Sequence, residues 1–408
     1  MTYKSLIKIV IISLSFWSSV FSQSEQSDRL LSVTVHSPSL ERNLLGDSPD
    51  RKVIVYLPPG YHDEENRGKK YPVIYLLHGY DADYRLWTSG EFWLGKGWSI
   101  ANVADYLIED GTIQPMLIVM PSAKNRYGGS WYVNSGVAGG WEDFIAQDLI
   151  SEIDKNYRTV KSPLGRGVAG HSMGGFGALW IGLNNPDKFG AIYGMSTAEP
   201  DLSRDFLESH KESMLNASKS TGLSSFDTLD FQTRIMISKA AAFSPNAQNL
   251  PFMGDLPYAY ENGEEVLKEA VWEKWLTFSL TNDDLLIKYT NDINKINGHP
   301  KALKFGLGSA DRYVNSNKRF SVKLKERNID HQFEVYDGDH LNRIHNRITK
   351  SVLPFFSANL TIAENESKGI FDSRYSLLYQ GTALLLLFLL IRRMMGWGRR
   401  PNYQDEEY

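Results

Sequence analysis

The stretch VAGHSMGGFGALW, Val168–Trp180, decides the fold. An apolar strand end meets a glycine-dense turn with one serine at its apex, and an apolar helical pattern follows. Four glycines, Gly170, Gly174, Gly175 and Gly177, crowd that serine. The spacing Gly170-His171-Ser172-Met173-Gly174 is G-x-S-x-G. It suits a nucleophile elbow, a serine held on a strained strand-to-helix turn. Glycine has no Cβ, so strand and helix approach closely and the hydroxyl stays exposed. The bland reading is a tight turn in which the serine is incidental. The partners of the serine decide between the two.

Short apolar runs flank the elbow. KVIVYLPP (Lys52–Pro59), YPVIYLLHG (Tyr71–Gly79), MLIVMP (Met116–Pro121) and GRGVAG (Gly165–Gly170) precede it. FGAIYGMS (Phe189–Ser196), ALKFGLGS (Ala302–Ser309) and HQFEVYDG (His331–Gly338) follow. FIAQDLISEIDKNY (Phe144–Tyr157) has helical apolar spacing. Short buried runs alternating with helices predict an α/β fold: a mainly parallel sheet with helices on both faces. Such sheets carry their sites at the carboxyl ends of the strands. From about Thr197 to Pro300 the alternation stops. That length exceeds what a simple connection needs. Its helix formers and aromatics predict a helical cap over the strand ends; the alternative is a separate inserted domain that binds a partner.

A serine hydroxyl needs a base within hydrogen-bond reach, and the base needs an orienting carboxylate. On an elbow of this kind the chain order is serine, acid, histidine. Asp311 stands three residues past Gly308, just beyond a late strand, and His340 just past the last strand. His331 precedes its strand and so falls at the wrong end of the sheet. His345 falls in the helix that follows, turned away. Asp337 and Asp339 are too close to His340 to supply an acid from a separate loop. Two backbone N–H groups are needed for developing negative charge. Met173, directly after the serine, supplies one; Tyr80, just past Gly79, is the candidate for the other. His78 is read as shaping its loop through hydrogen bonds, and His171 as a structural filler.

The chain has 408 residues, a formal net charge of −4 and no cysteine. Disulfides, thiolate chemistry and cysteine-based zinc sites are therefore excluded, and no basic stripe points to nucleic acid. Lys4 and Lys8, the apolar run Ile9–Phe21, and Val20 and Ser22 before Gln23 follow signal-peptide grammar over residues 1–22. The alternative is an uncleaved anchor. Residues 23–30 read as a polar linker and 357–374 as a polar stalk. Tyr375–Ile391 is uncharged. At about 1.5 Å per residue it spans about 26 Å, slightly short of a hydrocarbon core of about 30 Å, and snorkelling of Arg392 and Arg393 lets Met394, Met395 and Trp397 extend it. Arg392, Arg393, Arg399 and Arg400 follow it, so the positive-inside rule puts residues 392–408 in the cytoplasm. The expectation is a single-pass, membrane-anchored protein with its globular part outside the cytoplasm. The alternatives are a buried helix and a processed sorting tail.

With these pieces placed, the chain resembles the "putative esterase" family of α/β-hydrolases. That family includes esterase D (S-formylglutathione hydrolase), feruloyl esterases, enterochelin esterases and the antigen 85 mycolyltransferases. The stretches that carry the resemblance are SPSLERNLLGDSPDRKVIVYLPPGY, YPVIYLLHGYDADYRLW, GGSWYVNS, GHSMGGFGALW, GSADRYVNSNKRF and YDGDHLNRIH. They cover roughly residues 31–356. The resemblance implies an α/β-hydrolase domain with Ser172, Asp311 and His340 as its triad, and Tyr80 and Met173 as oxyanion donors. It also implies a serine carboxylic-ester hydrolase that needs no metal or organic cofactor. Its substrate would be a small-molecule, carbohydrate or lipid ester. The tryptophan familiar after the final histidine is absent from DHLNRIHN. Acyl transfer to an envelope sugar or lipid is the second reading, and a non-catalytic surface binding module the third. Trp87, Trp93, Trp98, Trp131, Tyr132 and Trp141 fall in strand-end loops. They read as a carbohydrate or phenolic cleft, or as core packing.

Overall fold

A computed structural model describes residues 29–88, 98–220, 222–295 and 302–362. The expected signal segment 1–22, the apolar run 375–391 and the tail 392–408 lie outside the described residues, as does Trp93. No described helix is long and apolar enough to cross a membrane.

Eight strands form the main sheet: β1 (Leu30–His36), β2 (Asp50–Tyr56), β3 (Val73–Leu77), β4 (Leu117–Pro121), β5 (Arg166–His171), β6 (Ala191–Met195), β7 (Ala302–Gly308) and β8 (Gln332–Tyr336). Their order is β1-β2-β4-β3-β5-β6-β7-β8. β2 runs antiparallel to β1 and β4, and the pairings from β4 onward are parallel. The central strands are nearly continuous apolar runs because both sheet faces are covered. Side chains alternate across the pleat. Val73, Tyr75 and Leu77 enter one core, and Ile74 and Leu76 the other. Helix Ile100–Glu109 and the C-terminal helical stretch Ile344–Asn359 cover one face. Helical stretch Trp141–Asn156 and helices Met173–Asn184 and Val314–Glu326 cover the other.

The insertion between β6 and β7 carries helices Arg204–Ser209, Lys211–Lys219, Phe231–Phe243, Glu269–Leu276 and Asp283–Lys295. Its Phe206, Met214, Ile235, Phe243, Trp272 and Trp275 are buried in the same core as helix Met173–Asn184. Each such burial contributes about 1.5–3 kcal/mol, so the insertion is fused to the sheet domain through a shared core. It is not wholly helical. Tyr258–Glu261 and Glu264–Leu267 pair as an antiparallel hairpin. Asn262 and Gly263 turn it, both at positive φ (52° and 85°). That Asn-Gly pair is a strong short-range hairpin signal, and the expectation of a helical cap passed over it.

Two boundaries also move. Leu30 opens β1, and Arg29 pairs with Asp105 at 2.8 Å, so the linker ends sooner than read. At the other end, the last helix runs to Asn359 and Leu360 is buried, so residues 357–360 belong to the domain and not to a stalk.

Candidate active site

Ser172 stands between β5 and helix Met173–Asn184 with φ 59° and ψ −117°. A non-glycine residue there carries about 1–3 kcal/mol of strain. Its neighbours hold it. Ser172 N donates to Met195 O at 3.0 Å, and Ser172 O accepts from Phe176 N and Ala198 N. Glycine is required by close approach. A Cβ on Gly170 would lie 2.1 Å from Gly174 O, and one on Gly174 would lie 2.4 Å from Leu77 O.

His340 Nε2 lies 2.9 Å from Ser172 Oγ, and His340 Nδ1 lies 2.8 Å from Asp311 Oδ2. Asp311 is buried, and its other oxygen accepts the Tyr313 N–H at 2.9 Å. The loops bearing Asp311 and His340 are stitched together: Ser309 N donates to Tyr336 O (2.7 Å) and Ala310 N to Gly338 O (2.9 Å). A Cβ on Gly308 would sit 2.1 Å from Gly338 O. The three residues singled out in the sequence are therefore brought together from three separate strand ends.

Asp337 and Asp339 stay local. Asp337 contacts Arg343, and Asp339 caps the N–H groups of Leu341 and Asn342. His345 packs edge-on against Trp98, with ring centroids 5.6 Å apart. His331 is bonded to Ser321 and Ile329 O, below the start of β8.

Tyr80 and Met173 line the same cavity as Ser172, about 240 Å³ in volume. Among the described residues neither backbone N–H makes a hydrogen bond. Met173 N also sits at a helix N-terminus, where the dipole favours negative charge. The Tyr80 loop is pinned from both sides. His78 donates from Nδ1 to Gly79 O and accepts the Ala123 N–H on Nε2, both at 2.8 Å. Burial drives its pKa down to about 4, so it stays neutral. Asp81, at φ 61°, donates its N–H to Gly128 O. Gly128 and Gly129 make room for Tyr80 and Met173. A Cβ on Gly128 would meet the Tyr80 ring at 2.9 Å, and one on Gly129 the Met173 sulfur at 2.4 Å.

His171 does more than fill space. It is 1% exposed, and its Nε2–H donates to the backbone carbonyl of His340 at 2.9 Å. The two imidazole rings lie 4.9 Å apart. Burial and the neighbouring His340 hold its pKa at about 3. A neutral ring thus ties the strand before the serine to the loop of the base.

The remaining walls were not legible as such. Phe231 and Ile235 come from the insertion, Trp131 from a left-handed turn (φ 55°), and Arg312, Tyr313 and Leu341 from residues beside the acid and base. Trp87, Trp98, Trp141 and Tyr132 are core residues, and Trp131 alone among the described members of that set lines the cavity. The residues that could hold a metal ion form no group of three or more among those described.

The family described as "Putative esterase" matches residues 48–345, which is most of the chain. The protein belongs to this family. It is 38% identical over 162 residues to a Mycobacterium tuberculosis protein named as an esterase, across 38% of this chain and 30% of that one. It is 34% identical over 137 residues to an endo-1,4-beta-xylanase/feruloyl esterase of Xylanibacter ruminicola, across 33% of this chain and 18% of that one. It is 30% identical over 139 residues to a diacylglycerol acyltransferase/mycolyltransferase of Mycobacterium leprae, across 32% of this chain and 38% of that one. The matches thus span well under half the length of these relatives. A solved ferulic acid esterase shares the fold at a TM-score of 0.53 and 22% identity, covering 82% of this chain and 98% of that one. The α/β-hydrolase fold accounts for the order of the eight strands and for the position of all three site residues at strand ends.

Proposed function

We propose that this member of the esterase family is a serine carboxylic-ester hydrolase. The observation that carries the reading is the hydrogen-bond relay Asp311–His340–Ser172, with links of 2.8 and 2.9 Å, ending on a serine in a strained elbow. Ser172 Oγ attacks the ester carbonyl while His340 Nε2 takes its proton. Asp311 accepts the Nδ1–H, fixes the tautomer and stabilises the imidazolium. The N–H groups of Met173 and Tyr80 receive the oxyanion, in a cavity whose other walls are largely apolar and so strengthen the interaction. His340 then protonates the leaving oxygen, and water, deprotonated by the same histidine, releases the acyl group. No step calls on a metal or an organic cofactor.

The mycolyltransferase among the relatives makes acyl transfer the second reading. The chemistry up to the acyl-enzyme is the same, and product analysis with and without an acceptor alcohol separates the two. The apolar run Tyr375–Ile391 with the arginines after it, and the signal-like residues 1–22, support a membrane-anchored enzyme acting outside the cytoplasm. A fluorophosphonate probe tests the central reading, since an activated serine reacts. Wild-type protein should label on Ser172, and Ser172→Ala and His340→Ala should not. Normal labelling of His340→Ala would remove the histidine from its role.

A further inference from the structure

A second cavity of about 430 Å³ opens beside the first and shares Arg312 and Tyr313 with it. Its floor carries two carboxylates, both engaged from within. Buried Glu199 takes Lys239 Nζ at 2.5 Å and His210 Nε2 at 3.1 Å. Asp201 takes Arg319 Nε and the Thr281 hydroxyl. His210 Nδ1 lies 2.9 Å from the Phe206 carbonyl. The Ser209 hydroxyl lies 3.1 Å from the same nitrogen, and the Glu199 carboxylate on the other nitrogen favours a positive charge on the ring. Burial opposes that charge, but the Glu199 carboxylate outweighs it and raises the pKa. Asp205 sits at the rim, 86% exposed and 3.6 Å from Arg319.

What the cleft leaves unengaged is mostly donor. Arg312 is exposed, lies over the Tyr313 ring at 5.1 Å, and makes no hydrogen bond or ion pair among the described residues. The Tyr313 hydroxyl makes no hydrogen bond among the described residues. Of the charged side chains that line the cleft, His210 and Arg319 are paired with the carboxylates of Glu199, Asp201 and Asp205, and Arg312 makes no ion pair among the described residues.

The chemistry fixes which part of a substrate reaches this cleft. The general acid must face the leaving oxygen. Tyr313 packs edge-on against the His340 ring with centroids 5.3 Å apart, so the second cavity opens on the side of the base. Phe231 and Ile235 line the first cavity with the oxyanion donor Tyr80, which suits the acyl group.

We propose that this cleft binds an anionic group, a carboxylate or a phosphate monoester, carried by the alcohol part of the ester, with Arg312 as its counter-ion. The proposal rests on the hydrolase reading above. A guanidinium presents paired N–H donors that match the oxygens of either anion.

The test uses the full chain and three esters of one acyl group: 4-carbamoylphenyl, 4-carboxyphenyl and 4-phosphonooxyphenyl. The two anionic esters should exceed the neutral one in kcat/KM by about three- to tenfold at low salt, and the preference should shrink as salt is raised. Arg312→Ala should bring the ratio to about one, and Arg312→Glu should invert it. The two anionic arms distinguish carboxylate from phosphate. Equal kcat/KM for all three in wild type, or a preference that survives Arg312→Ala, would overturn the proposal and leave the hydrolase reading standing. Calorimetry on Ser172→Ala protein with 4-hydroxybenzoate and 4-hydroxyphenyl phosphate reads the same site without turnover. Binding should weaken with salt and with Arg312→Ala, and no binding of either would count against the cleft. Failure of the neutral ester to turn over, together with absent Ser172 labelling, would instead strike the hydrolase reading.

Discussion

The sheet side of the cavity is built from backbone, whereas the insertion side is built from side chains. At the ends of β3, β5, β7 and β8 the chain is held by main-chain bonds, a serine at φ 59° and glycines whose missing Cβ atoms are filled by neighbouring carbonyls. On the insertion, Phe231 and Ile235 project from one helix of a segment that docks by apolar burial. Backbone contacts admit almost no change, because nothing can rotate out of the way. Side-chain contacts admit repacking at modest cost. The chemistry should therefore be brittle on one wall and the acyl preference adjustable on the other.

The sharpest break falls on the sheet side. Ser172→Ala and His340→Ala should each lower kcat by about 10⁴-fold or more, and the double variant should be no worse than either alone. Steady-state kinetics with urea denaturation as a fold control would check this. A double variant far worse than both singles would mean that the two residues do not act as one unit. Gly174→Ala comes next. Its Cβ would meet Leu77 O at 2.4 Å and His78 O at 2.6 Å, and neither is a flexible side chain. A displacement of about 1 Å at the elbow is enough to lower activity by roughly 10²-fold. Gly136→Ala, where nothing lies within 4 Å, is the control and should change neither activity nor stability.

The same contrast explains what could be read from the sequence. Backbone geometry leaves glycine and serine at fixed spacings, so the elbow, the meeting of Asp311 and His340 with Ser172, and seven of the eight main strands were legible. β1 was not read, although Leu31, Val33 and Val35 alternate in it, because it begins inside a polar segment. The insertion leaves no such spacing. Which face of helix Phe231–Phe243 meets the cavity depends on tertiary packing, and that helix is buried along most of its length. Gly128–Gly129 was quoted but not interpreted, since the side chains it accommodates, Tyr80 and Met173, are distant in sequence.

His171 joins the two kinds of wall, since a side chain there holds a backbone carbonyl. His171→Phe should lower kcat by about tenfold with little change in KM, and His171→Gln, which keeps an N–H donor, should recover part of the loss. A fall in KM and kcat together would indicate a merely structural role. Its titration gives a second readout. His171 and His78 have native pKa values of about 3 and about 4, below the ordinary value of about 6.5. As pH falls below about 6.5 the unfolded chain takes up protons first. Stability should therefore drop from pH 6.5 towards 4 and 3, then level off as the native rings protonate. His210, raised by Glu199, works the other way: its contribution is complete below pH 6.5 and is lost as pH rises through its native pKa. Comparing wild type with His171→Phe by urea denaturation across pH 7 to 4 isolates the His171 share, and the variant should show the shallower slope.

The smallest expected effect lies on the insertion wall and bears on specificity. Ile235 is 5% exposed and lines the cavity of about 240 Å³ together with Phe231. Phe231 packs edge-on against Tyr80, with ring centroids 5.5 Å apart. Ile235→Ala removes buried methyl groups and should destabilise the fold by about 2–4 kcal/mol. It also lengthens the space facing the acyl carbon. On a series of esters that differ only in acyl chain length, the optimum should move to a longer chain, with kcat/KM changing several-fold at each end, because one methylene in an apolar pocket is worth about 1–3 kcal/mol. kcat on the preferred ester should stay within a few-fold of wild type, since Ile235 touches none of the three relay residues through a hydrogen bond. An unchanged chain-length profile would place the acyl group elsewhere and make the insertion a cover without a part in selection. A collapse of kcat comparable to that of Gly174→Ala would show that the insertion positions the elbow, and the two walls would then not be separable.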